Sequence, residues 1–200
     1  MKTSMIFFHG KGKKPNDPLF KPFNDIAELF NADLIPITAQ FPHRDGFRWH
    51  NINKQPETKT EFIQSLQYIQ SETDKILTAR KQTFNDVVWL GYSQGSDLAI
   101  RMALSNGAKR VIVFSADILE QLPLPNKPKT DFQVDWIEAG KDNVLKQERK
   151  ETYKRLQSMG IKVNYLISEK SEHFYIKQID TIIENIDITN YVSFIKDLTR

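Results

Sequence analysis

The pentapeptide Gly91-Tyr92-Ser93-Gln94-Gly95 sets a serine between two glycines. Directly before it runs Val87-Val88-Trp89-Leu90, the pattern of a buried strand. Directly after it Leu98, Ala99, Met102 and Ala103 recur at helical spacing toward Gly107, a residue type suited to close a helix. A strand that turns sharply into a helix holds the intervening serine in a strained backbone and exposes its hydroxyl. The flanking residues must then be glycine, because a Cβ there would meet the neighbouring strand and helix. The chemistry this predicts is attack by Ser93 on an acyl carbonyl. Gln94 begins the helix, and its backbone N–H points where an oxyanion would form. The rival reading is a glycine-rich turn with an ordinary helix-capping serine.

A serine nucleophile needs a base. The chain has four histidines, His9, His43, His50 and His173. In the fold that uses this elbow the acid and the histidine follow the serine in chain order, and of these only His173 does. It stands in Ser171-Glu172-His173-Phe174, just past the apolar run Val163-Asn164-Tyr165-Leu166-Ile167, where a loop at the carboxyl edge of a sheet can carry it to Ser93. His43 and His50 are expected as pocket or surface residues. The acid is expected from Glu138-Ala139-Gly140-Lys141-Asp142-Asn143, where Gly140 turns the chain and Asp142 follows. Asp142 would hold the imidazole tautomer and stabilise the imidazolium. Glu169 and Glu172 are the alternatives, and Asp135 and Glu138 belong to a strand.

The second oxyanion donor is expected in Phe8-His9-Gly10-Lys11-Gly12, as the backbone N–H of Lys11. The same glycines could suggest a phosphate cradle, but neither G-x-x-x-x-G-K-[ST] nor G-x-G-x-x-G is present. The histidines show no metal-ligand spacing, so neither a metal nor a cofactor is expected.

These residues have to be positioned by a scaffold. Met5-Ile6-Phe7-Phe8, Leu34-Ile35-Pro36-Ile37, Val87 to Leu90, Val111-Ile112-Val113-Phe114, residues 132–137 and residues 163–167 read as strands, mostly continuous rather than alternating. Phe62, Leu66, Ile69, Ile76 and Leu77 mark a long helix between them, and Ile188, Tyr191, Val192, Ile195 and Leu198 an amphipathic last helix. Strand and helix alternating along the chain imply a parallel sheet wrapped by helices. Residues 41–59 and 117–130 are rich in Pro, Asn, His and Lys and read as long loops that follow strands and form the pocket. Trp49 is expected as a flat apolar wall, with Ile118, Leu119 and Leu122 as an adaptable one.

Composition narrows the classes further. The 200 residues fit one domain, 1–200. There are no cysteines, which excludes a disulfide framework, a thiol nucleophile and a thiolate metal site. Twenty-eight Lys and Arg against 25 Asp and Glu leave a net charge of +3, too small an excess for a dedicated nucleic-acid binder. The charged share of 26% and apolar share of 40% are those of a globular protein rather than a disordered one. No apolar run approaches the ~18 residues of a membrane span, and the start is too short in apolar residues for a signal-peptide core, so a cytoplasmic location without integral membrane contact is expected.

In order along the chain, Phe8-His9-Gly10-Lys11-Gly12, the elbow around Ser93, Gly140-Lys141-Asp142 and His173 resemble the phospholipase/carboxylesterase family of small serine α/β-hydrolases. Acyl-protein thioesterases and bacterial esterases belong to that family. Ser93-Gln94-Gly95 is typical of it, Phe47-Arg48-Trp49 is similar to its aromatic pocket segment, and Ser115-Ala116 with the Leu-Pro stretch beyond it resembles one of its loops. The resemblance implies an α/β-hydrolase fold: a mostly parallel six-stranded sheet with helices on both faces, no cap domain, and the strand order second, first, third, fourth, fifth, sixth. It also implies a Ser93, Asp142, His173 triad cleaving small-molecule esters or thioesters. This sequence departs from the family in three places. Ser96 stands where a second glycine is common, Glu172 where glycine precedes the histidine, and Lys11 where an apolar residue is usual. Lys11, Lys13 and Lys14, if they face the site, would favour anionic substrates; otherwise they form a solvated loop. A reading from another class is a non-catalytic small-ligand-binding protein on the same fold.

Overall fold

The computed structural model describes residues 2–51, 57–116, 124–139 and 146–168. The apolar runs become parallel strands: Thr3–Phe8 (β1), Ala32–Ile37 (β2), Val87–Tyr92 (β5), Arg110–Phe114 (β6), Gln133–Ala139 (β7) and Lys162–Ser168 (β8). Their order in the six-stranded sheet is β2-β1-β5-β6-β7-β8, all neighbours parallel. This is the order implied for the strand runs, and the chain has the α/β-hydrolase fold.

Continuity of the apolar runs follows from burial on both faces. Alternate strand residues enter two separate cores. Ile6, Phe8, Trp89, Val111, Val113, Val134 and Trp136 pack with helices Glu57–Arg80 (α2) and Gln94–Asn106 (α3) and with Leu156 of Lys146–Ser158 (α4). Met5, Phe7, Val88, Leu90, Ile112, Phe114 and Ile137 pack on the other face against Phe23, Ile26 and Ala27 of Pro22–Leu29 (α1). A strand with both faces covered has no use for polar alternation. Pro36 is tolerated because β2 is an edge strand, where a missing N–H breaks no ladder.

The helices differ from the expectation in two places. Neither α1 nor α4 shows in the periodicity; α4 is mostly charged and buries only Thr152 and Leu156 among its described side chains. The stretch 41–59 is not one long loop. It folds back as an antiparallel hairpin, Phe41–His43 (β3) with Gly46–Arg48 (β4), turned by Arg44 at φ 52°, and its last residues open α2. The last helix expected around Ile188 to Leu198 lies outside the described residues. Among the described residues no helix is long and apolar enough to cross a membrane.

The topology creates one privileged place. From β1 the chain moves outward to β2, then crosses back to β5 on the other side of β1. At such a reversal the connections leave in opposite directions, and a crevice opens beyond the carboxyl ends of the two central strands. Phe8 is paired with Gly91, so residues 9–11 and 92–94 emerge side by side.

Candidate active site

Ser93 closes β5 with φ 50° and ψ −121°, a conformation that a side chain disfavours. Its N–H donates to Phe114 O at 2.9 Å, and its carbonyl accepts the Ser96 N–H at 2.9 Å, so the turn is clamped from both sides. The glycines are required as the pattern predicted. A Cβ built on Gly91 would stand 2.5 Å from Ser96 Cα, and one on Gly95 2.6 Å from the Phe8 carbonyl carbon. The helix therefore starts immediately over the end of β1, with Ser93 9% exposed at its tip.

The loop after β1 comes to the same point. A Cβ on Gly10 would lie 3.3 Å from Ser93 Cβ. Among the described residues the backbone N–H groups of Lys11 and Gln94 make no hydrogen bond, while those of Gly12 and Lys13 are taken by Phe47 O at 2.7 Å and Gly10 O at 3.3 Å. Gln94 N–H also lies at the positive end of the α3 dipole. Two N–H groups without a partner beside a strained serine are the kind of donors that an oxyanion requires.

His9 supports this loop rather than serving as a base. It is fully buried, Nδ1–H donates to Gly10 O at 2.8 Å, and Nε2 accepts the Ala39 N–H at 3.1 Å. Burial lowers its pKa from the ordinary 6.5 to about 4, against the opposing pull of the Gly10 hydrogen bond, so the ring is neutral at neutral pH. His50 was expected in the pocket or at the surface and is instead 1% exposed. Its pKa too is lowered by burial to about 4, opposed by a backbone hydrogen bond at Asn51 and the Glu61 carboxylate. His43 is half-buried in the hairpin, lowered by desolvation and by the charges of Lys11, Arg44 and Arg48.

Two rings held neutral make stability depend on acid. The unfolded chain takes up protons below the ordinary histidine pKa of 6.5, and the folded chain does so only near 4. Between these values the unfolded state binds more protons, so stability falls as the pH drops and the loss is complete below the folded pKa. Each ring accounts for up to about 3 kcal/mol. Denaturant unfolding at about pH 7 and about pH 4.5 should show a combined loss of roughly 5 kcal/mol for the two rings; equal stability at both would mean the rings are not held neutral.

Trp49 departs from its expected place. It is 0% exposed, edge-on to Phe8 at 5.5 Å between centroids, with its indole N–H donating to His9 O at 2.7 Å. With no exposed surface, it packs in the core behind the loop instead of standing as an open wall. Of the basic residues, Lys13 pairs with Asp17 at 3.8 Å and Lys14 is exposed. Asp135 is held by Arg110, and Glu138 accepts the Trp136 indole N–H, so both strand carboxylates are engaged. Asp142, His173, Ile118, Leu119 and Leu122 lie outside the described residues, as do Glu169 and Glu172. Among the described residues no three His, Asp or Glu side chains gather as metal ligands would. A groove lined by Ile100, Leu104, Leu124 and Leu156, with Asp97, Arg101, Thr152 and Arg155 at its polar side, does not include Ser93.

Reading the sequence missed the Gln94 side chain. Its Oε1 accepts the Trp49 N–H at 3.0 Å and its Nε2–H donates to His50 O at 2.9 Å. The signal in the sequence is a glutamine directly after the serine, at the first position of the expected helix.

No family model matches the chain, and no curated protein matches it by sequence. Solved structures do. Esterase PE8 superposes with a TM-score of 0.76 at 19% identity, covering 98% of this chain and 92% of its own. The Bacillus cereus carboxylesterase gives 0.75 at 16% identity over 97% and 89%. SOBER1 of Arabidopsis thaliana gives 0.73 at 18% identity over 100% of both chains. With the strand order, the elbow at Ser93 and the loop after β1, these likenesses show that the chain has the α/β-hydrolase fold shared by these esterases.

Proposed function

We propose that the protein is a serine hydrolase that cleaves carboxylic esters or thioesters. The observation that carries this reading is Ser93 at φ 50° on the carboxyl end of a central strand, flanked by the unbonded N–H groups of Lys11 and Gln94. Solved structures of the same fold are named as esterases and carboxylesterases, which supports the class of reaction.

The steps follow from these parts. Ser93 Oγ attacks the acyl carbonyl carbon as His173 takes its proton. Asp142 keeps the imidazole oriented and balances the imidazolium charge. The Lys11 and Gln94 N–H groups hold the tetrahedral oxyanion. Collapse expels the alcohol or thiol, which receives the proton from His173 and leaves an acyl-serine. Water, deprotonated by His173, then attacks the acyl-serine, releases the acid and regenerates Ser93. Thioesters need no different group.

His173→Ala is expected to cost about as much activity as Ser93→Ala, because the two act as one unit. In the wild-type protein kcat/KM for an activated ester should rise with pH through a midpoint of roughly 6 to 7.5, since only neutral imidazole accepts the serine proton. His9 and His50 titrate near 4 and lie below that window. A flat profile between about pH 5 and about pH 8 would remove His173 as the base.

A further inference from the structure

We infer that Trp49 is a positioning residue that fixes the spacing between the two oxyanion donors, acting as a splint between the loop after β1 and the start of α3. This rests on the reading of Ser93 as the nucleophile.

The segment 46–50 touches both halves of the hole. On the loop side, Gly12 N–H donates to Phe47 O at 2.7 Å and Phe47 N–H donates to Lys13 O at 3.1 Å. The Trp49 indole N–H donates to His9 O at 2.7 Å. His9 in turn donates to Gly10 O, the other end of the peptide unit whose N–H belongs to Lys11. Because a peptide is planar, fixing that oxygen fixes the direction of the Lys11 N–H. On the helix side, the Gln94 side chain pairs with the main chain of Trp49 and His50, as a short piece of strand would. Gln94 also owns the other free N–H. Ser65 of α2 holds the middle of the splint, its hydroxyl donating to Trp49 O at 2.5 Å.

The two donors therefore sit on separate elements joined through one buried residue. No direct hydrogen bond between the Lys11 and Gln94 backbones spans the gap among the described residues. An oxyanion hole works only if both donors stand at hydrogen-bond distance from one atom at once, and a shift of a few tenths of an ångström at either is felt in the transition state more than in substrate binding. An indole suits the task. Its ring fills the core between Phe8 and His9, at 5.5 and 5.2 Å between centroids, while its single donor reaches one carbonyl.

The test is Trp49→Phe, which keeps an aromatic ring and removes the N–H. With an activated ester, kcat should fall about tenfold while KM stays within about twofold. The affinity of a trifluoromethyl ketone, which forms an oxyanion on the serine, should fall by the same factor as kcat. Gln94→Met cuts the splint at its other end and should give the same split. The double variant should be no worse than the poorer single one, because a splint is lost once. A wild-type kcat and ketone affinity in either folded variant would overturn the inference, and so would losses that multiply in the double variant. Failure of wild-type Ser93 to react with a fluorophosphonate would instead overturn the nucleophile on which the inference rests.

Discussion

Ser93→Ala is expected to lower kcat for an activated ester by roughly 10⁴-fold or more, and to end labelling by a fluorophosphonate probe, while the protein still unfolds cooperatively. The side chain is nearly enclosed and contributes little apolar packing, so its loss is chemical rather than structural. The backbone supplies a second and independent readout. At φ 50° and ψ −121° any Cβ is strained, by about 1–3 kcal/mol, and alanine keeps that Cβ. Glycine does not. At an ordinary site glycine is less stable than alanine by about 0.5–1 kcal/mol, whereas here Ser93→Gly should melt above Ser93→Ala. Both variants should be inactive. Retained activity in folded Ser93→Ala would remove the nucleophile. An alanine variant more stable than the glycine one would remove the strain.

Gly95→Ala is expected to be the most damaging small substitution near the site, costing roughly 2–4 kcal/mol of stability and most of the activity. In a free helix the same change would gain about 1 kcal/mol. The sign reverses because the new Cβ would stand 2.6 Å from the Phe8 carbonyl carbon and 2.8 Å from His9 O. Neither atom is the end of a flexible side chain. Phe8 is locked between β2 and β5, and His9 O is the acceptor of the Trp49 indole. The helix must lift away from β1, carrying the Gln94 N–H off its position. Denaturant unfolding and the trifluoromethyl ketone affinity measured together would check this. An unchanged midpoint would show that α3 does not rest on β1 as described.

Much of this was legible in the sequence. Fully covered strands appear as unbroken apolar runs, as in β1, β5 and β6, and the less regular runs of β2, β7 and β8 were legible too, the proline of β2 included. The turn at Ser93 was legible because its two glycines stand in one short stretch between a strand run and a helical run, although the clash that requires Gly95 comes from Phe8 and His9 on β1 and the loop after it. α1 and α4 were not, since α1 is short and α4 buries too few side chains for a helical stripe. The hairpin 41–48 was hidden by its brevity, with strands of three residues on either side of its turn.

The site divides along the same line. The sequence by itself showed the strand runs and the serine between two glycines, because each is written in residues adjacent in the chain. Only the tertiary structure decided the fate of Trp49, His9, His50 and the Gln94 side chain. Their spacing carries no period, and their partners lie 30 to 45 residues away in the chain. A tryptophan in a polar stretch reads as a pocket wall until the carbonyl that takes its N–H is known. That carbonyl faces it because residues 47–50 are held to the loop after β1 through Phe47 and Gly12 and to the start of α3 through the Gln94 side chain.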